Sequence, residues 1–146
     1  MLLYNMSKTL QILVLASSII GAAHAAGPEG NWRLNSGKIT VRINYCGAQN
    51  LCATVVAMAQ PLTKDGKPKT DKDNPNPALR FKPIIGLQVV SGMVPNGPNH
   101  WKGKIYNADD GGTYKATAEV SGNELTIKAC ALGGLACKKK RFSRVN

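Results

Sequence analysis

The sequence predicts an all-β protein, a small up-and-down antiparallel β-barrel of about eight strands. Three observations predict it. Apolar and polar residues alternate with period two along most of the chain, and the apolar side is rich in β-branched residues. Turn signals such as Ser121-Gly122-Asn123 recur at short intervals, and the body of the chain shows no helical periodicity. Finally, strands joined by short turns form a meander, and closing a meander removes the exposed edges that would pair with other chains. The 146 residues allow one domain.

Residues 1–25 read as a signal peptide. Residues 1–8 carry one cation and no acid, residues 10–22 are largely apolar, and Ala23-His24-Ala25 gives the small-x-small pattern of a cleavage site. The apolar stretch is short for a bilayer span, which needs roughly 20 residues. The expectation is a single domain at 26–146, periplasmic or secreted and not membrane-spanning once mature. No Cys stands at the cleavage site to take a lipid anchor.

The predicted strands follow in order. The first lies near 30–34. In 38–45, Ile39, Val41, Ile43 and Tyr45 share one face, and Lys38, Thr40, Arg42 and Asn44 share the other. Residues 51–59 are more uniformly apolar and so better buried, and 84–92 is a further apolar strand. Strands at 100–106, 113–120, 123–129 and 136–145 complete the set. Residues 107–112, Asn-Ala-Asp-Asp-Gly-Gly, make a turn. Residues 60–83 hold five of the eight prolines, six basic residues and three aspartates. Such a segment is neither a central strand nor a helix, and reads as a long loop.

Cys46, Cys52, Cys130 and Cys137 form two local pairs. An even count in an exported chain reads as disulfides, with three connectivities open. The pairing 46–52 and 130–137 is favoured because each pair flanks a strand turn. Neither spacing suits a structural zinc site, so no metal or other cofactor is expected.

Gly30-Asn31-Trp32 near the start, with Arg144 near the end, resembles the signature of the calycin barrels: lipocalins, fatty-acid-binding proteins and avidins. The resemblance implies that Trp32 plugs one end of the barrel and that Arg144 packs over its ring, a cation on an indole face. A second resemblance covers nearly the whole domain. It rests on Asn74-Pro75-Asn76-Pro77-Ala78-Leu79-Arg80, Pro83-Ile84-Ile85-Gly86-Leu87, Trp101-Lys102-Gly103-Lys104-Ile105-Tyr106 and Asp110-Gly111-Gly112-Thr113-Tyr114. These motifs are similar to the bacterial domain-of-unknown-function family numbered 2147. That resemblance implies a small exported bacterial protein and implies no activity. Phe142 stands where the family often has Trp.

The chemistry is better bounded by what is missing. The chain has 19 Lys+Arg against 8 Asp+Glu, a formal net charge of +11, so anionic partners are favoured. Once residues 1–25 are removed, His100 is the sole histidine, and it lies in a turn of Asn, Pro and Gly. There is no nucleophile elbow, phosphate loop or dinucleotide fingerprint. Asp71-Lys72-Asp73 begins like a calcium loop, but Pro75 interrupts it. Most carboxylates sit in loops, where solvation is the simpler reading. Specific nucleic-acid binding would need surface aromatics that the chain lacks.

Two function classes remain. The first is a binding or structural barrel for a small apolar or anionic ligand, or for an anionic envelope component. The second is a cell-envelope enzyme of unfamiliar type using the barrel mouth and long loop. The lack of a base or metal set favours the first. In the last strand, alternation puts Lys138, Lys140, Phe142 and Arg144 on one face. Either both lysines enter the barrel mouth, which suits an anionic ligand, or the regular strand starts only after Lys140. The second arrangement avoids inward charge and is the expectation. The end opposite Trp32 is expected to be open, with residues 60–83 as its lid. Asn74 and Arg80 are the polar ligand candidates there, or else ties that hold the loop to the barrel. Trp101, Tyr106 and Tyr114 are the candidates for an aromatic wall.

Overall fold

The computed structural model describes residues 27–146. The signal-peptide expectation for residues 1–25 lies outside the described residues. Eight strands form a closed barrel: β1 Gly30–Leu34, β2 Ile39–Tyr45, β3 Leu51–Met58, β4 Gln88–Pro95, β5 His100–Asn107, β6 Gly112–Ser121, β7 Glu124–Ala131 and β8 Ala136–Val145. Each strand pairs antiparallel with the next, and β8 returns to pair antiparallel with β1. The eight-stranded antiparallel barrel expected from the sequence is therefore the fold. Its helical content among the described residues is two short 3₁₀ turns, Pro77–Leu79 and Leu132–Gly134.

The core follows from where large side chains meet the interior. Trp32, Leu51, Met93, Trp101, Val120 and Leu125 are buried and sit towards one end of their strands. Trp32 is 0% exposed, and its indole N–H donates to the Pro28 carbonyl at 2.8 Å. The Arg144 guanidinium lies 4.2 Å from the centroid of the Trp32 ring. It also donates to the carbonyls of Glu29 and Gly27, each at 2.6 Å. Gly30 makes room for this, since a Cβ there would stand 3.0 Å from an Arg144 nitrogen. The glycine, indole and arginine thus close the barrel end together.

Both disulfides are the local ones, Cys46–Cys52 and Cys130–Cys137. The first closes the β2–β3 hairpin. The second joins residues directly opposite each other in the β7–β8 ladder.

Three details correct the sequence reading. The fourth strand starts at Gln88, not at 84, and runs on to Pro95. Residues 84–87 form a turn instead, with the Leu87 N–H returning to the Ile84 carbonyl and the Gly86 N–H donating to the Val55 carbonyl. Tyr45 is exposed at the end of β2, and an extra residue of β3, Val56, opposite the Thr40–Val41 step leaves Thr40 buried as well as Val41 and Ile43. Most consequentially, β8 is regular from Ala136, with Lys138 opposite Ala129 and Lys140 opposite Ile127. The late strand start does not occur.

Candidate functional site

The barrel is hollow towards the end opposite Trp32. Interior positions near that mouth carry small side chains, among them Ala129, Ala131 and Ala136, where the other end carries Trp32 and Trp101. An eight-stranded barrel is just wide enough to be filled by its side chains or to hold one small ligand. The small residues decide for a cavity, of about 1030 Å³. That is as large as the biggest sites that enclose small molecules, which run to about 1,000 Å³.

The cavity is chemically graded. Its walls are apolar: Val41, Ile43, Val55, Val90, Ile127 and Phe142 all line it. Its mouth is charged. Lys38, Lys69, Lys72, Lys138 and Lys140 line it together with Asp73, Asp109 and Asp110. Lys72 is paired with Asp73. Lys138 and Lys140 remain exposed to solvent inside the open mouth, so they keep their hydration without the cost of a buried charge. They reach the interior by the alternation that also places Phe142 there.

The long loop reaches this mouth, contributing Gln60, Thr63, Lys69, Thr70 and Asp73 to its lining. Asp71 fastens it. This carboxylate is 0% exposed; it accepts from the Asn74 amide and from the Tyr106 hydroxyl, both at 2.7 Å. Burial, then the neighbouring Asp71 carboxylate, push the Tyr106 hydroxyl up to about 12. Asn74 also accepts from the Asn76 N–H at 2.8 Å, and its carbonyl accepts from Arg80 Nε at 2.8 Å. Gly111, in the β5–β6 turn, packs so closely on the loop that a Cβ there would stand 1.9 Å from the Asp73 carbonyl oxygen. The loop is therefore a built part of the rim.

Across the mouth, Tyr114 donates to Asp110 at 2.8 Å, and Asp110 also accepts from the Gly112 N–H at 2.8 Å. The Gly112 N–H, then the Tyr114 hydroxyl, hold the Asp110 carboxyl below its ordinary range, with Lys138 adding to the effect. The bond to Asp110 raises the Tyr114 hydroxyl in turn.

The sequence candidates thus separate. Tyr106 and Tyr114 line the cavity. Asn74 and Arg80 are engaged in tying the loop. Trp101 is at the closed end, buried, with its indole N–H on the Gln49 carbonyl at 3.1 Å, and it shares no wall with the two tyrosines. His100 is also at the closed end and exposed, its Nδ1 donating to the Pro98 carbonyl and its Nε2 3.5 Å from Glu119. Asp71, set aside from the sequence as part of an interrupted calcium-like run, is instead the buried acceptor that fastens the loop, because its partner Tyr106 is far away in sequence. Among the described residues no three His, Cys, Asp or Glu side chains converge as a metal ion would require.

Comparison with solved structures places the barrel among lipocalin-like folds. It is similar to protein HP1028 from the human pathogen Helicobacter pylori, described as belonging to the lipocalin family, with 25% sequence identity and a TM-score of 0.67 over 81% of this chain and 82% of that one. No curated protein matches the sequence. Residues 30–144 match the family described as "Uncharacterized protein conserved in bacteria (DUF2147)". That match runs from the glycine that seats the arginine to the arginine itself, and the chain belongs to this family.

Proposed function

We propose that the protein is exported and acts in the periplasm or outside the cell as a binding barrel for an amphiphile with an apolar body and an anionic head. The observation that carries this reading is the graded cavity, apolar along its walls and lined at its mouth by Lys138 and Lys140. An apolar body gains by leaving water for the walls, at roughly 25 cal/mol per Å² of surface buried. A carboxylate or phosphate head then lies among ammonium groups, which attract it as point charges. Export is supported by the signal-like pattern of residues 1–25 and by two disulfides in a small domain. A binding role is favoured over catalysis because His100, the sequence's one candidate base in the barrel, lies at the end away from the cavity.

Native mass spectrometry of protein purified from its own cell envelope tests the proposal. The expected result is an adduct whose fragmentation shows an alkyl or other apolar body with an acidic group. A bare protein that also takes up no added hexadecanoate would overturn it.

A further inference from the structure

At the open end, the turn between β7 and β8 reads Leu132-Gly133-Gly134-Leu135. Leu132 is 76% exposed and Leu135 is 90% exposed. Leu132 holds a φ of 52°, a conformation that bulky side chains avoid. The Cys130–Cys137 disulfide braces the base of this turn. Single exposed leucines need no explanation, but here two share one braced tip. Phe81, 84% exposed, stands on the long loop at the same end.

The outer face beside this tip is basic. Lys104 faces Lys115 across the β5–β6 ladder, and Lys128 faces Lys139 across β7–β8. Like charges directly opposite each other destabilise a sheet. Among the described residues none of these four is in an ion pair. The acids of this face, Glu119 and Glu124, lie towards the closed end, near His100 and Arg141. Lys115 is level with the disulfide, opposite Cys130, and the Lys128–Lys139 pair is two residues further along, roughly 7 Å. Both pairs therefore lie within about one Debye length of the base of the tip.

We infer that the open end docks on an anionic phospholipid bilayer, Leu132 and Leu135 entering the acyl boundary and the four lysines meeting the headgroups. Apolar tips beside a basic surface are the two signals that stable membrane attachment needs. A nucleic acid would offer the leucines no apolar phase, and of the aromatic rings at the outward positions of β5, Tyr106 is held by Asp71 and His100 lies at the closed end. This pose turns the cavity mouth towards lipid, but it does not rest on the barrel holding a ligand.

The test uses vesicles of phosphatidylglycerol and phosphatidylethanolamine, with phosphatidylcholine vesicles as the neutral control. Fluorescence of Leu135→Trp should shift to the blue with the anionic vesicles and stay unchanged with the neutral ones. The double variant Leu132→Ser/Leu135→Ser should lower partition to the anionic vesicles by at least about tenfold. Lys128→Glu/Lys139→Glu should lower it by about tenfold or more. Both should keep the wild-type melting temperature and hexadecanoate affinity. Lys140→Gln should do the reverse, weakening hexadecanoate binding and leaving vesicle partition alone, so the two readings fail separately. No blue shift with anionic vesicles at low salt would overturn the inference. So would vesicle binding that survives loss of the leucines and is matched by binding to duplex DNA.

Discussion

Single residues set the ends of this barrel. Trp32 is buried completely and held by a hydrogen bond, a cation and two packed strands. Trp32→Ala should cost about 3–5 kcal/mol in chemical denaturation, the range for a large buried aromatic. A loss below 1 kcal/mol would mean that the plug is not structural. At the other end, Tyr106 makes the corresponding test. Its hydroxyl is raised above the ordinary value of 10.0 to about 12, by burial and by Asp71. The folded state therefore keeps this proton while the unfolded chain loses it. The resulting stability is complete below pH 10, and falls as pH rises from about 10 through about 12. An absorbance titration of the phenols should show a last step near pH 12 that is absent from Tyr106→Phe. An identical curve for that variant would contradict the assignment. The sequence singles out both residues but not the bond between them, since they are 35 residues apart and joined only by the fold.

Among the elements, the strands were the more legible part and the loop the less. Period-two alternation and two apolar runs, 51–59 and 84–92, located the strands, and the turn residues located their ends within a few positions. Residues 84–87 misled because an apolar run reads as strand, while the backbone bonds that bend it come from Val55, far away in sequence. β8 misled for a different reason. Alternation placed Lys138 and Lys140 inward correctly, and the expectation that strands avoid inward charge was wrong because the mouth is open to water. Whether the interior was filled or hollow turned on alanines that alternation treats like any apolar residue. The loop's role is testable through Arg80, whose Nε bonds the Asn74 carbonyl. Arg80→Ala should lower stability by about 1–3 kcal/mol, as for loss of a charge-assisted hydrogen bond, and leave hexadecanoate affinity within about twofold. Unchanged stability with lost affinity would make Arg80 a ligand contact instead. Asp71→Ala leaves the Tyr106 hydroxyl and the Asn74 amide without their acceptor. It should open the segment between Lys64 and Lys82 to trypsin at rates well above wild type; an unchanged digestion pattern would show that the loop is held by other contacts.

As a whole molecule the protein is a barrel with one end built shut and the other built to receive. Trp32 and Arg144 exclude water from the closed end, while alanines on β7 and β8 keep the other half hollow. Five lysines line the mouth against three aspartates, and Lys72 is paired with Asp73. The central claim is that this mouth selects an anionic head for an apolar body. Calorimetric titration of hexadecanoate and hexadecanol into wild type and Lys138→Gln/Lys140→Gln tests it most directly. Wild type should bind hexadecanoate at least about tenfold more tightly than hexadecanol, with a negative heat-capacity change from apolar burial. The double variant should bind the two nearly alike. Equal binding of both ligands by wild type, or a preference for the acid that survives loss of both lysines, would contradict the account.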